Sequence, residues 1–205
     1  MRQQANFKWI FLGIFIGIVL SILILPMTVR AEELMGKDYF AAINENVNRN
    51  LLTQVERYHF AENNFWQAYK ERKYERAIAE LKFVLRYFPN HPDALRMLGT
   101  LARLTERVSL PISFYENAIR LYPEYPLTHV QYGDYLVDIG LPEEGISKIA
   151  KAIEMDPDMA VAHVSLAKAY QKTGKKDLAS REAQRARELG YKGDALDTVP
   201  KRRRE

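Results

Sequence analysis

A proline recurs at a fixed interval along this chain: Pro89, Pro123 and Pro157 stand 34 residues apart, inside the stretches RYFPNHPDAL, RLYPEYPLTH and EMDPDMAVAH. With each proline set at position 32 of a 34-residue unit, the chain divides into 58–91, 92–125, 126–159 and 160–191, and other positions fall into phase. Position 8 reads Phe65, Gly99, Gly133 and Ala167, position 20 reads Ala77, Pro111, Gly145 and Ala179, and position 27 reads Val84, Ala118, Ala152 and Ala186. Gly140 and Gly174 share position 15 of the last two units. A period of this length constrains the fold more than composition does. A short unit cannot bury its own apolar face, so successive units must stack into one continuous core with capped ends.

The phased small residues and the closing proline resemble the tetratricopeptide repeat family, whose unit is a pair of antiparallel helices. The resemblance spans about residues 58–191 and implies an all-α solenoid of about four helix pairs. Ala or Gly at positions 8 and 20 allows the two helices to approach, Leu98, Tyr132 and Leu166 at position 7 fill between them, and proline stops the second helix. Three positions depart from the pattern: Phe65 at position 8, Ala68 at position 11 and Pro111 at position 20. Pro111 is expected in the first turn of its helix, where the missing amide costs little. Before the repeats, Phe40, Ile43, Val47, Leu51, Val55 and Tyr58 recur at three- and four-residue spacing, which predicts one amphipathic helix over Lys37–Tyr58 that makes up most of a juxtamembrane segment 30–57 and ends at the first residue of the first unit.

The N-terminus carries a different signal. Trp9 to Val29 is 21 residues without a charge, long enough as a helix to cross roughly 30 Å of hydrocarbon. Lys8 and Trp9 suit the headgroup region, and Pro26 stands near the far end. The run is expected to be a retained transmembrane anchor over 9–29, following a cytoplasmic tail 1–8. Val29-Arg30-Ala31 also permits a signal peptide cleaved after Ala31, which would release a secreted soluble module. Near-flank Lys and Arg number two on each side, Arg2 and Lys8 against Arg30 and Lys37, and the free amine favours an inward N-terminus. The expected location is the bacterial inner membrane, single-pass, with the repeats in the periplasm. Gly13, Gly17 and Ser21 line one face of the span with small side chains, a face another membrane helix can approach.

Charge and chemistry narrow the function. The basic surplus lies at the two ends, leaving 23 bases against 25 acids between Ala31 and Pro200. That distribution argues against a nucleic-acid binder. The tail 192–205 ends in Lys201-Arg202-Arg203-Arg204 and is expected to be able to contact anionic lipid or an acidic partner. Cysteine is absent, so no disulfide, thiolate metal site or thiol nucleophile can form. Thr173-Gly174-Lys175-Lys176 lacks the remaining elements of a phosphate loop, and Asp156 and Asp158 around Pro157 read as solvated loop carboxylates. His129 and His163 share position 4 without a third ligand and are expected to pack between helices. No catalytic residue, cofactor or metal is expected.

What remains is a binding surface. In the family the chain resembles, positions 2, 5, 6, 9, 12 and 13 of each first helix line the concave groove. Carried over, this implies a partner-binding site at Asn63, Trp66, Tyr69, Arg96, Arg103, Val130 and Lys168, centred on the aromatic and arginine positions. The carboxylate clamp of chaperone-binding relatives is incomplete, because Met97 stands where a second asparagine is needed. A membrane-anchored scaffold or assembly factor acting on a protein partner, such as a membrane complex, is the expected function. A permanent accessory subunit of such a complex is the alternative.

Overall fold

The computed structural model describes residues 35–60 and 62–196, with the side chains of Glu62 and Asn63 left out, and among these residues only helices and turns occur. From Gly36 onward they belong to one unit. Two short helices come first, α1 (Tyr39–Asn44) and α2 (Arg49–Val55). Helix α2 is followed by π-helical turns at Glu56–Phe60 and Glu62–Trp66 and by α3 (Gln67–Lys70). Then follow α4 (Tyr74–Tyr87), α5 (Pro92–Leu104), α6 (Ile112–Leu121), α7 (Pro126–Asp138), α8 (Pro142–Met155), α9 (Ala160–Lys172) and α10 (Lys176–Glu188). The pairs 49–70 with α4, α5 with α6, α7 with α8 and α9 with α10 stack into an all-α solenoid.

Prolines and left-handed turns punctuate the pairs. Proline opens α5, α7 and α8 at the first helical turn, where its missing N–H is no loss. The turn inside every pair is a left-handed C-cap: the amides of Lys73, Arg107, Leu141 and Lys175 donate to Ala68, Ala102, Leu136 and Tyr170 carbonyls at 2.7–2.9 Å. The residue at the centre of that cap has positive φ in all four repeats, and it is Arg72, Glu106, Gly140 and Gly174 in turn. Pro111 stands at the N-cap of α6, just ahead of the helix, so its ring costs no helical bond.

The phased small residues bring the helices of a pair together. In the third repeat Gly133 and Gly145 face each other so closely that a Cβ on Gly133 would lie 2.6 Å from the Gly145 carbonyl oxygen. In the first repeat Phe65 fills the equivalent place, fully buried, and stacks on Phe60 at 5.3 Å. The core runs from Ala42 and Leu52 through Phe88 and Tyr115 to Leu136. Beyond it, Leu196 closes the last repeat by packing with Val164, Ala167, Ala179, Ala183 and Ala186.

Two boundaries differ from the sequence expectation. The stretch Lys37–Tyr58 is not one amphipathic helix: it breaks between α1 and α2, where Asn46 and Asn48 adopt positive φ. The run Asn44-Glu45-Asn46-Val47-Asn48 explains this, because asparagine tolerates the left-handed region and favours turns. The first repeat's leading helix therefore starts at Arg49, nine residues ahead of the expected unit boundary at Tyr58. At the other end, the segment assigned to the basic tail is folded as far as Leu196, whose apolar side chain supplies the cap. Residues 1–34, the expected anchor and its Gly13, Gly17 and Ser21 face included, and Lys201–Arg204 lie outside the described residues.

Candidate protein-binding face

The first helices carry the positions singled out for recognition. In the first repeat, Phe65 is held in the core and orients its neighbours: Trp66 meets it edge-on at 4.9 Å and meets Tyr69 edge-on at 6.0 Å. Both Trp66 and Tyr69 are half-buried, packed on the core with one side open. The Asn63 side chain lies outside the described residues. Leu104, one turn past Thr100 on α5, is 53% exposed.

The cations form a second group. Arg96 is exposed and pairs with Asp93, three residues back, at 2.9 Å. Arg103 reaches into the next repeat and donates to Asp138, whose other oxygen accepts from Lys172 of the fourth repeat at 2.7 Å. One carboxylate thus joins the second, third and fourth repeats. Beside it, Asp134 accepts from Ser165 Oγ at 2.9 Å, and burial pushes its carboxyl up to about 6 against the opposing pull of that hydrogen bond and of Lys168. Lys168 is exposed.

Val130 does not belong to this face. It is 1% exposed and packs with Ala152 and Ala162 between repeats three and four. An aliphatic side chain at position 5 turns into the seam between units, whereas the long polar stem of Arg96 at the same position leaves it. Met97, Val137, Val164 and Ser165 are also buried. The accessible face is therefore narrower than the family positions imply, with an aromatic end on the first repeat and an ion-paired ladder across the other three.

The two histidines sit at equivalent places with different surroundings. His163 Nε2 lies 3.0 Å from the Pro157 carbonyl and Nδ1 lies 2.7 Å from Glu182. His129 donates to the Pro123 carbonyl, while its buried Nδ1 has no partner. Burial, then Lys148, holds its pKa below the ordinary value. Neither arrangement assembles a metal site, and among the described residues no three His, Asp or Glu side chains gather as one. Among them, also, no helix is long and apolar enough to cross a membrane.

One cluster gave no sequence signal. Asp38 caps α1 through the Phe40 amide at 2.9 Å, accepts from Asn90 Nδ2 at 2.7 Å, and accepts from the Tyr125 hydroxyl through its second oxygen. Nothing periodic marks a contact between residues 52 apart.

No curated protein matches the chain by sequence. Several solved structures resemble it in shape. YrrB, described as a TPR protein with an unusual peptide-binding site, is 23% identical at a TM-score of 0.47, over 60% of this chain and 63% of that one. The match thus spans less than two thirds of YrrB. TTC0263, a thermophilic TPR protein of Thermus thermophilus, is 20% identical at a TM-score of 0.49, over 62% and 71%. MamA is 18% identical at a TM-score of 0.48, over 72% and 91%. A family model of the tetratricopeptide repeat matches residues 64–126.

Proposed function

We propose that this chain is a membrane-anchored scaffold or assembly factor that binds a protein partner through the inner face of its first two repeats. The observation that carries the reading is the pairing of a half-buried aromatic surface, Trp66 and Tyr69, with an exposed leucine and a loosely held cation. Such a surface suits a segment bearing both apolar and acidic residues. Arg96 is the cation best able to change partners. Its ion pair with Asp93 is exposed on both sides, and such pairs contribute less than about 1 kcal/mol, so an incoming carboxylate can replace Asp93. Arg103 already shares Asp138 with Lys172 and serves the solenoid first.

The uncharged run Trp9–Val29 supports retention in the bacterial inner membrane with the repeats in the periplasm. Tethering would raise the effective concentration of the face toward membrane-borne partners. The terminal Lys201–Arg204 cluster would add salt-sensitive attraction to anionic lipid.

The test is recovery of partners from native membranes by cross-linking and mass spectrometry, with Trp66→Ala and Arg96→Ala variants beside the parent. Each should lower recovery at least about tenfold while helical circular dichroism stays that of the parent. Equal recovery by both folded variants removes the inner face from the proposal. A mature chain beginning at Glu32, or its release by carbonate washing, removes the anchor.

A further inference from the structure

In a repeat stack each unit touches only its neighbours, so the angles between units are set locally and add up along the solenoid. The segment 36–44 breaks that rule at one edge. It begins by satisfying carbonyls at the end of the first repeat: the Gly36 amide donates to Arg86 at 3.0 Å and the Lys37 amide to Tyr87 at 2.6 Å. These are C-terminal carbonyls of α4, which have no partner within their own helix.

The segment then crosses the loop between repeats one and two. The side chain of Asn90, wholly buried, takes the Tyr39 amide on its oxygen at 2.8 Å and gives its nitrogen to Asp38. Both ends of that carboxamide are used by the segment. Tyr39 also lies against the buried His91 ring at 4.5 Å. Nδ1 of His91 accepts from the Ala94 amide, so Nε2 carries the proton and donates to Glu56 at 3.1 Å.

Finally the segment reaches the loop between repeats two and three. Tyr122 donates to the Gly36 carbonyl, Tyr125 donates to Asp38, and the Phe40 ring stacks on Tyr125 at 4.4 Å. Burial raises the Tyr122 hydroxyl to about 12, with Asp38 adding to the shift. Nine residues of chain thus contact the end of repeat one, the loop that follows it, and the loop that closes repeat two, whose Tyr125 stands at the N-cap of α7 in repeat three; of the receiving side chains Asn90 and His91 are buried and Tyr122 and Tyr125 half-buried.

We propose that this loop edge is a second recognition site, separate from the inner face, whose ligand is the chain's own segment Gly36–Asn44, and that its occupation fixes the angle between repeats one and three. The site reads an acid followed by two aromatic residues. Asp38 is bound from three sides, and the rings of Tyr39 and Phe40 cover the two loops. Release of the segment would leave Asn90 and Tyr125 to water and return the first three repeats to local control of their angles. A partner that prefers a different curvature would then compete with the segment, although the two bind at different places.

The absence of cysteine makes the test direct, since labels can be placed at will on the full-length chain held in detergent micelles. Ala79 on α4 and Ser147 on α8 are exposed, and they occupy the same position two repeats apart. Spin labels on A79C/S147C report the angle as a distance distribution, and hydrogen exchange of the Gly36, Lys37 and Tyr39 amides reports the segment. Asp38→Ala should speed exchange at those amides at least about tenfold and widen the distance distribution, with exchange in α9 unchanged. Tyr125→Phe, which keeps the ring and removes one donor, should move both readouts the same way by less, and it guards against a folding defect in the first variant. Unchanged amide exchange in both variants would show that Asp38 does not hold the segment. Faster exchange with an unchanged distribution would show that the segment binds without setting the angle. Either result overturns the proposal.

Discussion

Arg72 and Gly140 occupy the same place in the 34-residue period, and both hold a left-handed backbone, at φ 57° and 91°. Glu106 does the same at φ 59°, and Gly174 at 74°. The cap geometry is thus a property of the repeat, kept whether or not the residue suits it. Glycine adopts this conformation without steric cost, whereas a residue with a Cβ is strained by roughly 1 kcal/mol. Arg72→Gly and Glu106→Gly should each stabilise the chain, by about 0.5–1 kcal/mol after the added freedom of the unfolded chain is deducted. Thermal melting should rise by roughly 2–4 °C per substitution. A fall in melting temperature for both would show that the exposed side chains at these caps matter more than the backbone.

The contact between Gly133 and Gly145 gives the opposite sign. Alanine is the better helix former by roughly 1 kcal/mol, but at position 133 its Cβ would sit 2.6 Å from a backbone oxygen and 2.5 Å from Ile149 Cγ1. The oxygen cannot give way without parting α7 from α8. Gly133→Ala should destabilise by about 1–3 kcal/mol, read as a lower urea midpoint with an unchanged helical spectrum at room temperature. A midpoint equal to the parent's would mean that the pair can separate freely.

These two cases show what the sequence made legible. Phased small residues such as Gly133, Gly145 and Ala152 report close helix approach directly, because only small side chains fit there. The caps at Arg72 and Glu106 were hidden, since their side chains say nothing of a positive φ and only the period places them beside Gly140. Val130 departs from its expected place on the inner face because family position specifies only the face of a helix, while the seam it fills depends on Ala152 and Ala162 in other helices. The Arg103–Asp138–Lys172 bridge and the Asp38 cluster join residues 34 to 87 apart through side-chain reach alone, which leaves no trace in local spacing.

Asp134 should make stability depend on pH. Its folded-state pKa stands at about 6 because burial disfavours the carboxylate, against 3.8 for the ordinary group. Between those values the folded chain holds more protons than the unfolded one, so this residue's contribution is complete below pH 4 and is lost as pH rises through 6. Asp134→Asn keeps an acceptor for Ser165 and removes the charge. The variant should match the parent at pH 4 and exceed it by roughly 1–3 kcal/mol at pH 7, measured as the difference in urea unfolding at each pH. A difference that stays constant across that range would show that the carboxyl ionises normally in the fold.

The last comparison is supplied by the repeat itself, since His129 and Lys148 in the third unit stand where His163 and Glu182 stand in the fourth. Glu182 takes up His163 Nδ1, whereas Lys148 leaves the buried Nδ1 of His129 without a partner and repels a proton from it. Lys148→Glu should install the fourth unit's arrangement in the third. One new charge-assisted hydrogen bond is worth about 1–2 kcal/mol, reduced by the loss of the Lys148 contact over the Tyr132 ring at 5.3 Å. The sign with pH follows from the two states. In the parent, a lowered histidine pKa gives stability that is present above the ordinary 6.5 and lost on acidification. In the variant the carboxylate favours the imidazolium, so stability is gained on acidification instead, until the introduced carboxylate itself takes a proton. The advantage of the variant should therefore grow from pH 7 to pH 5, and the His129 ring resonances should titrate at higher pH than in the parent. A variant that loses stability at pH 5, or a His129 midpoint that does not rise, would show that the third unit cannot accept the fourth unit's pairing.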